Sequence, residues 1–118
     1  MSIERIEPGP LMSQAVVHRG VAYLSGLVAK DLDADVKGQT ASILSKIDDV
    51  LAAAGSDKTR ILKANIWLSD ISTWAEMNEV WTEWVVAGSA PARATVEAPM
   101  ANPKIKVEIM VEAAVGED

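Results

Sequence analysis

The feature that most constrains the fold is an apolar segment that lies between two segments with helical periodicity. Residues 61–68 read ILKANIWL, with apolar side chains at both odd and even positions. This pattern is typical of a strand that is covered on both faces. The strand is therefore predicted to lie inside a sheet. Its more apolar face would carry Leu62, Ala64, Ile66 and Leu68.

The two flanking segments are predicted to be amphipathic helices. Apolar residues recur at steps of three and four over residues 36–51, with Asp35 as the predicted N-cap and Gly55 as the residue that ends the helix. After the strand, Thr73 and Glu76 predict a capping box. Three of the four tryptophans follow in one stripe, which we interpret as core or subunit contact rather than as a ligand platform. The stripe consists of Trp74, Met77, Val80, Trp81, Trp84 and Val85.

Short strands complete the pattern at both ends of the chain. Residues 13–18 and 21–24 flank the turn signal Arg19-Gly20 and predict a hairpin, and Ser25-Gly26 predicts a bulge after it. Residues 92–97 and 106–113 alternate in polarity as strands do. We therefore predict one α+β domain over residues 1–118, with a mixed β-sheet and two helices packed on one face. No segment is left to cover the opposite face, so we expect oligomerisation.

Composition excludes several classes of function. The net charge is −6, and no Lys/Arg cluster suggests phosphate neutralisation, so we expect no nucleic-acid partner. The chain has no Cys and one His, His18, which argues against a metal site, a thiol nucleophile and a Ser-His-Asp triad. The first ten residues, MSIERIEPGP, lack the apolar region of a signal peptide, and no apolar run could span a bilayer. We therefore expect a cytoplasmic protein with no membrane partner.

Arg93 is the most informative polar residue. It follows Pro91 and lies between Ala92 and Ala94, small neighbours that leave room for a ligand beside the guanidinium. A guanidinium binds a carboxylate through two parallel hydrogen bonds. The alternative is a surface ion pair with Glu97 on the same strand face, and on pattern alone this alternative is favoured.

Several segments resemble a known family. Residues 89–98 read SAPARATVEA and residues 104–113 read KIKVEIMVEA. With GPLMSQAV at 9–16, YLSG at 23–26 and MNEVWTEW at 77–84, they resemble, in order and spacing, the signature segments of the RidA family, also called YjgF or UK114-like proteins. The resemblance extends over almost the whole chain.

This resemblance implies a fold, an assembly and an activity. The implied fold is similar to that of Bacillus-type chorismate mutase, and the implied assembly is a homotrimer with ligand clefts between subunits. The implied reaction is the hydrolysis of reactive enamines and imines, such as 2-aminoacrylate, to 2-keto acids and ammonia. It needs no cofactor and no metal, and the implied partner is a small metabolite that carries a carboxylate.

The resemblance also implies site residues. Arg93 matches the arginine that binds the substrate carboxylate, and Glu108 matches the glutamate near the attacking water. Ser25 and Asn78 match cleft residues. The alternative for both is local hydrogen bonding, in a turn for Ser25 and on the helix surface for Asn78. The alternative for Glu108 is an exposed carboxylate on a strand. The full predicted substrate-binding set is Arg93, Ser25, Gly26, Asn78, Met12 and Thr95.

Two departures from the family pattern affect the expected activity. The family segment G-P-Y-S-Q-A reads GPLMSQA here, so Leu11 or Met12 stands in place of the tyrosine. Thr95 stands where a cysteine is frequent. Both favour a divergent member that acts on a bulkier or more apolar imino acid. The alternative function is non-catalytic binding of a keto acid or amino acid at the same Arg93 site, and the lost tyrosine favours it. A ribonuclease role, reported for some family members, is disfavoured by the charge.

Overall fold

The fold combines one six-stranded sheet with two α-helices. The computed structural model describes residues 2–116. Short 3₁₀ helices at Lys58–Arg60 and Ile71–Thr73 precede the fourth strand and the second helix. In chain order the elements are β1 (Glu4–Pro8), β2 (Ser13–His18), β3 (Val21–Leu24), α1 (Val36–Ala53), β4 (Ile61–Leu68), α2 (Trp74–Trp84), β5 (Ala92–Glu97) and β6 (Val107–Ala114).

The sheet is mixed, as predicted. Its strand order is β1-β2-β3-β6-β4-β5. β4 and β5 run parallel, and α2 forms the crossover between them. The other neighbours are antiparallel. The predicted α+β architecture is confirmed, and β1 and β5 form the two edges of the sheet.

The core lies between the helices and one face of the sheet. Every second residue of β6 is buried, and the apolar stripe of α1 is buried with it. Full burial of a Val, Leu or Ile side chain contributes about 1.5–3 kcal/mol. This packing holds both helices at fixed positions above the strands. The largest fully buried side chains include Ile43, Leu44, Ile47, Leu51, Ile66, Leu68, Met77 and Ile109.

Both predicted ends of α1 are confirmed. Asp35 has extended backbone, and its Oδ1 accepts a hydrogen bond from the Gly38 N–H at 2.8 Å. At the other end Gly55 has φ +82°, and the Ser56 N–H donates to the Leu51 carbonyl at 2.8 Å. The left-handed glycine lets the chain turn back to satisfy the last carbonyls of the helix.

The predicted capping box at α2 is wrong. Thr73 makes no side-chain cap hydrogen bond and has φ −88° and ψ 8°, outside the extended region that an N-cap residue usually adopts. The preceding 3₁₀ turn already winds the chain, and its own cap is Asp70, whose Oδ1 accepts from the Ser72 N–H at 2.9 Å. The Thr73 hydroxyl instead donates to the Asp70 carbonyl. Thr73 therefore occupies the N-cap position of α2 as predicted, but the capping hydrogen bond is made three residues earlier, by Asp70.

The predicted faces of β4 are correct except at its first two residues. Leu62 is 50 % exposed, whereas Ile61 is buried. The cause is a shift in the register with β6 between Ile61 and Lys63. A β-bulge changes which side chains face the core. The buried face of β4 therefore carries Ile61, Ala64, Ile66 and Leu68.

The N-terminal hairpin is confirmed, and it has an additional strand beside it. β2 pairs with β3 across Arg19-Gly20. Tyr23 pairs with Glu112 of β6, and Leu27 pairs with Ile109. Four residue steps on this side therefore lie opposite three steps on β6. The extra residue shows that the predicted bulge at Ser25-Gly26 is present. The sequence pattern did not indicate β1. Only Ile6 within this strand is partly buried, so its sequence shows no alternation of apolar and polar residues.

The other face of the sheet has no cover within residues 2–116. Tyr23 and Val96 are about half exposed, at 46 % and 50 %, and Trp67 and Met110 are partly exposed. No helix in this part of the chain is both long enough and apolar enough to cross a membrane.

Candidate functional site

Arg93 lies on the helix side of the edge strand β5. It pairs with the buried Ala64 of β4, and paired residues of parallel strands share a face. Its side chain therefore points toward α2, where Nη1 donates to Oδ1 of Asn78 at 2.8 Å. The hydrogen bond holds the guanidinium in place and leaves other N–H groups of the fork for a ligand. The structure thus brings together two of the residues that the resemblance implied.

Two indole rings flank this guanidinium. Cζ of Arg93 lies 5.3 Å from the ring centroid of Trp81 and 5.9 Å from that of Trp74. These distances are within the range of cation–π attraction. Trp81 is 5 % exposed and belongs to the core, whereas Trp74 is 43 % exposed. The cation is therefore fixed on one side by the core and bordered on the other by an accessible aromatic surface.

Arg93 carries its charge without a carboxylate partner among residues 2–116. The alternative ion pair with Glu97 is not formed; Oε1 of Glu97 instead accepts from the Ile71 N–H at 2.9 Å. Burial lowers the pKa of Arg93 from its ordinary value, but an arginine remains protonated in proteins. A partly buried, uncompensated cation favours an anionic ligand, since a carboxylate restores the electrostatic balance.

Thr95 is the next residue on the same face of β5. Its Oγ1 is buried and has no hydrogen-bond partner in the described part of the chain. A buried hydroxyl without a partner costs about 1–3 kcal/mol. The hydroxyl of Ser25, far across the sheet, is in the same condition. Each hydroxyl therefore keeps an unused hydrogen-bonding capacity.

Glu108 and Gly26 form a second group on the open face of the sheet. Glu108 pairs with Trp67, and its neighbours Val107 and Ile109 face the core, so its own side chain faces away from the helices. Its carboxylate lies directly against the Gly26 backbone, and a Cβ atom at Gly26 would overlap Oε2 of Glu108. The bulge at Ser25-Gly26 therefore supplies the space that the carboxylate occupies.

Met12 and Gly26 line a cavity that lies against α1, and Glu108 is not part of its lining. The cavity has a volume of about 480 Å³, and Gln14 and Lys46 also line it. Met12 is 51 % exposed, and Leu11 next to it is 95 % exposed. Nζ of Lys46 donates to the Val28 carbonyl at 2.7 Å, so the lysine is anchored at this wall.

The predicted site residues therefore form two groups that one copy of the chain keeps apart. Arg93, Asn78 and Thr95 lie at the β5 edge on the helix side, and Glu108 and Gly26 lie on the opposite face. β4 separates Arg93 from Glu108, and neighbouring strands lie about 4.8 Å apart. A single subunit cannot place both groups on one small ligand.

Sequence reasoning missed the aromatic surroundings of Arg93. Trp74, Asn78 and Trp81 are spaced at i, i+4 and i+7, which places them along one side of a helix. That spacing was visible in the sequence, but only the pairing of β5 with β4 shows that Arg93 lies beneath it.

Other features contribute nothing to this site. A cavity of about 590 Å³ lies at the N-terminal ends of both helices and is lined by Lys37, Asp70 and Lys106 among others, but by no predicted site residue. Within residues 2–116, no group of three or more His, Asp or Glu side chains is arranged to hold a metal ion.

Comparison with known proteins identifies the family. A family model described as endoribonuclease L-PSP matches residues 3–115. The chain belongs to this family. It is 49 % identical over 115 residues to the RutC family protein YoaB of Escherichia coli, covering 98 % of this chain and 100 % of that protein. It is 42 % identical over 113 residues to a RutC family protein of Haemophilus ducreyi, covering 96 % and 97 % of the two chains.

Solved structures agree with this family membership. A member of the YjgF protein family from Neisseria meningitidis superimposes with a TM-score of 0.96 at 43 % identity, covering 100 % of this chain and 98 % of that one. The resemblance to the RidA (YjgF/UK114-like) family is therefore confirmed, as is the YjgF-like fold. The names of these relatives identify the family and not a reaction.

Proposed function

We propose that this protein hydrolyses reactive 2-imino acids, formed from enamines such as 2-aminoacrylate, to 2-keto acids and ammonia. The observation that carries the proposal is Arg93, a partly buried cation that Asn78 and two tryptophans hold in place and that no carboxylate of residues 2–116 neutralises. A guanidinium in this condition suits the carboxylate that all 2-imino acids share. Family membership is consistent with the same reaction.

The reaction needs only a positioned substrate and a positioned water. The enamine first tautomerises to the imine. The imine nitrogen takes a proton from solvent, and the oxygen of water adds to the iminium carbon while Glu108 accepts a proton from that water, which gives a carbinolamine. Glu108 then returns this proton to the nitrogen. The C–N bond breaks with its electron pair leaving on ammonia, and the hydroxyl gives its proton to Glu108 as the carbonyl of the keto acid forms. Proximity and general base catalysis together lower the barrier of such a step.

In this proposal the site is shared between copies of the chain. Arg93 and Glu108 lie on opposite faces of one sheet, so the carboxylate of Glu108 reaches the ligand on Arg93 from a neighbouring subunit. A homotrimer with clefts between its subunits provides such an arrangement. The uncovered sheet face, with Tyr23 and Val96 about half exposed, supports an assembly of this kind.

The test is an assay in which another enzyme generates the imine. An amino-acid oxidase or a PLP-dependent dehydratase produces imines from Leu, Met, Phe or Ser in the presence of semicarbazide, and hydrolysis suppresses formation of the semicarbazone. Wild type should suppress it. Arg93→Ala should lower kcat/KM at least about 100-fold, because two charged hydrogen bonds of about 1.5 kcal/mol each correspond to roughly that factor.

Two further variants make the result specific. Arg93→Lys keeps the charge but loses the planar fork, so it should recover only part of the activity. Arg5→Ala removes an exposed arginine from β1, at the opposite edge of the sheet, and should change nothing. Full activity in Arg93→Ala would refute the proposal. Binding of 2-keto acids without any turnover would favour the non-catalytic alternative, a keto-acid or amino-acid binding protein.

A further inference from the structure

Trp74 is the exposed wall of the Arg93 site. Of the two indoles beside the guanidinium, Trp81 is almost fully buried and serves the core, whereas Trp74 is 43 % exposed at the first position of α2. Arg93 contacts the ring of Trp74, but residues 2–116 leave much of the side chain exposed. A large apolar surface thus lies open next to a cation.

We infer that Trp74 selects 2-imino acids with large apolar or aromatic side chains over 2-aminoacrylate and the imine of alanine. The inference rests on the proposed function, because it assigns the substrate class of that same site. Binding of the carboxylate to Arg93 fixes where the rest of the ligand lies. The side chain of a 2-imino acid begins two bonds beyond the carboxylate carbon, so it lies beside the guanidinium, where Trp74 is found.

The physical chemistry of an indole ring agrees with this assignment. Aromatic and aliphatic ligand groups gain free energy on an indole surface through buried apolar area and ring contacts. A small ligand such as 2-aminoacrylate has no group that reaches this surface and gains nothing from it.

The experiment compares two imines in the semicarbazide assay. An amino-acid oxidase generates the imine of phenylalanine or that of alanine, and the ratio of kcat/KM for the two is measured. In wild type the ratio should favour the phenylalanine imine at least about tenfold, since even small apolar groups in a binding pocket change kcat/KM by about that factor. Trp74→Ala should lower the ratio about tenfold, and Trp74→Phe should retain most of it.

A matched control separates this effect from the loss of any exposed apolar side chain. Ile3 is 48 % exposed, close to the value for Trp74, and it precedes β1 at the opposite edge of the sheet. Ile3→Ala should leave the ratio unchanged. Equal losses for both imines in Trp74→Ala would overturn the inference, because Trp74 would then only position Arg93.

A binding measurement decides the case in which no imine is hydrolysed. That result would refute the proposed function by itself. Calorimetric titration with phenylpyruvate and pyruvate then tests the substrate class without turnover. Tighter binding of phenylpyruvate to wild type, with the preference lost in Trp74→Ala, would sustain the role of Trp74. Equal affinities in wild type would overturn it.

Discussion

Among single residues, Gly26 and Glu108 depend most directly on each other. The Glu108 carboxylate occupies the place where a side chain at Gly26 would begin. Because Oε2 is the end of a flexible side chain, Gly26→Ala should displace the carboxylate and not the backbone. We expect the free energy of unfolding to change by less than about 1 kcal/mol while imine hydrolysis falls clearly.

A double-mutant cycle tests this coupling. If the glycine acts through the carboxylate, Gly26→Ala should cause little further loss of kcat in a Glu108→Ala background. Chemical denaturation of both single variants checks that the fold persists. Independent, additive losses in the two variants would show that Gly26 serves another purpose.

Residue types along β5 singled out Arg93 but did not predict its surroundings. The sequence pattern favoured an ion pair with Glu97, yet Glu97 binds the Ile71 N–H and Arg93 binds Asn78. Both Arg93 and Glu97 face α2, and which of its neighbours each side chain reaches depends on where the helix lies. That position depends on core packing many residues away.

At the scale of elements, the clearest sequence signal was the N-cap of α1. Asp35→Ala should lower the free energy of unfolding by about 1 kcal/mol, since the Gly38 N–H loses its partner. The lower midpoint in urea measures this loss. Asp35→Asn should retain most of the stability, because an amide oxygen also accepts the hydrogen bond.

Asp49→Ala provides the comparison within the same helix. Asp49 is exposed on α1, four residues before its end, where alanine is the better helix former. Its substitution should leave the unfolding midpoint unchanged or slightly raise it. If Asp49→Ala lowered the free energy of unfolding as much as Asp35→Ala does, the loss at Asp35 could not be attributed to the cap.

Elements that depend on pairing were harder to predict. β1 has no clear alternation of its own and forms a strand by hydrogen bonding to β2. The bulge that moves Ile61 into the core likewise arises from register against β6. Non-local pairing decides both features, so local propensity carries no sign of them.

For the whole molecule, the uncovered sheet face predicts association. Met110 lies on β6 near the middle of that face and is partly exposed. Met110→Lys should disrupt the assembly, because an interface core tolerates an unpaired charge poorly. Light scattering after size exclusion should give three times the 12.6 kDa chain mass for wild type and a smaller mass for the variant.

A charge on the helix side is the matched control. Ala52 is exposed on α1, on the layer opposite the open face, and Ala52→Lys should leave the mass unchanged. If wild type itself has the mass of a single chain, the shared site of Arg93 and Glu108 cannot form. The proposed mechanism would then lack its general base, Glu108.

The sequence by itself determined the two helices, five of the six strands, both ends of α1, the α+β class and the residue types of the proposed site. These depend on local periodicity, capping and side-chain chemistry, which neighbouring residues carry. Only the tertiary structure decided that Arg93 lies under Trp74 and Trp81, that Glu108 lies against Gly26, and that the two groups lie on opposite sheet faces. Those relations depend on strand pairing and helix packing between segments far apart in the chain, so no local sequence pattern indicates them.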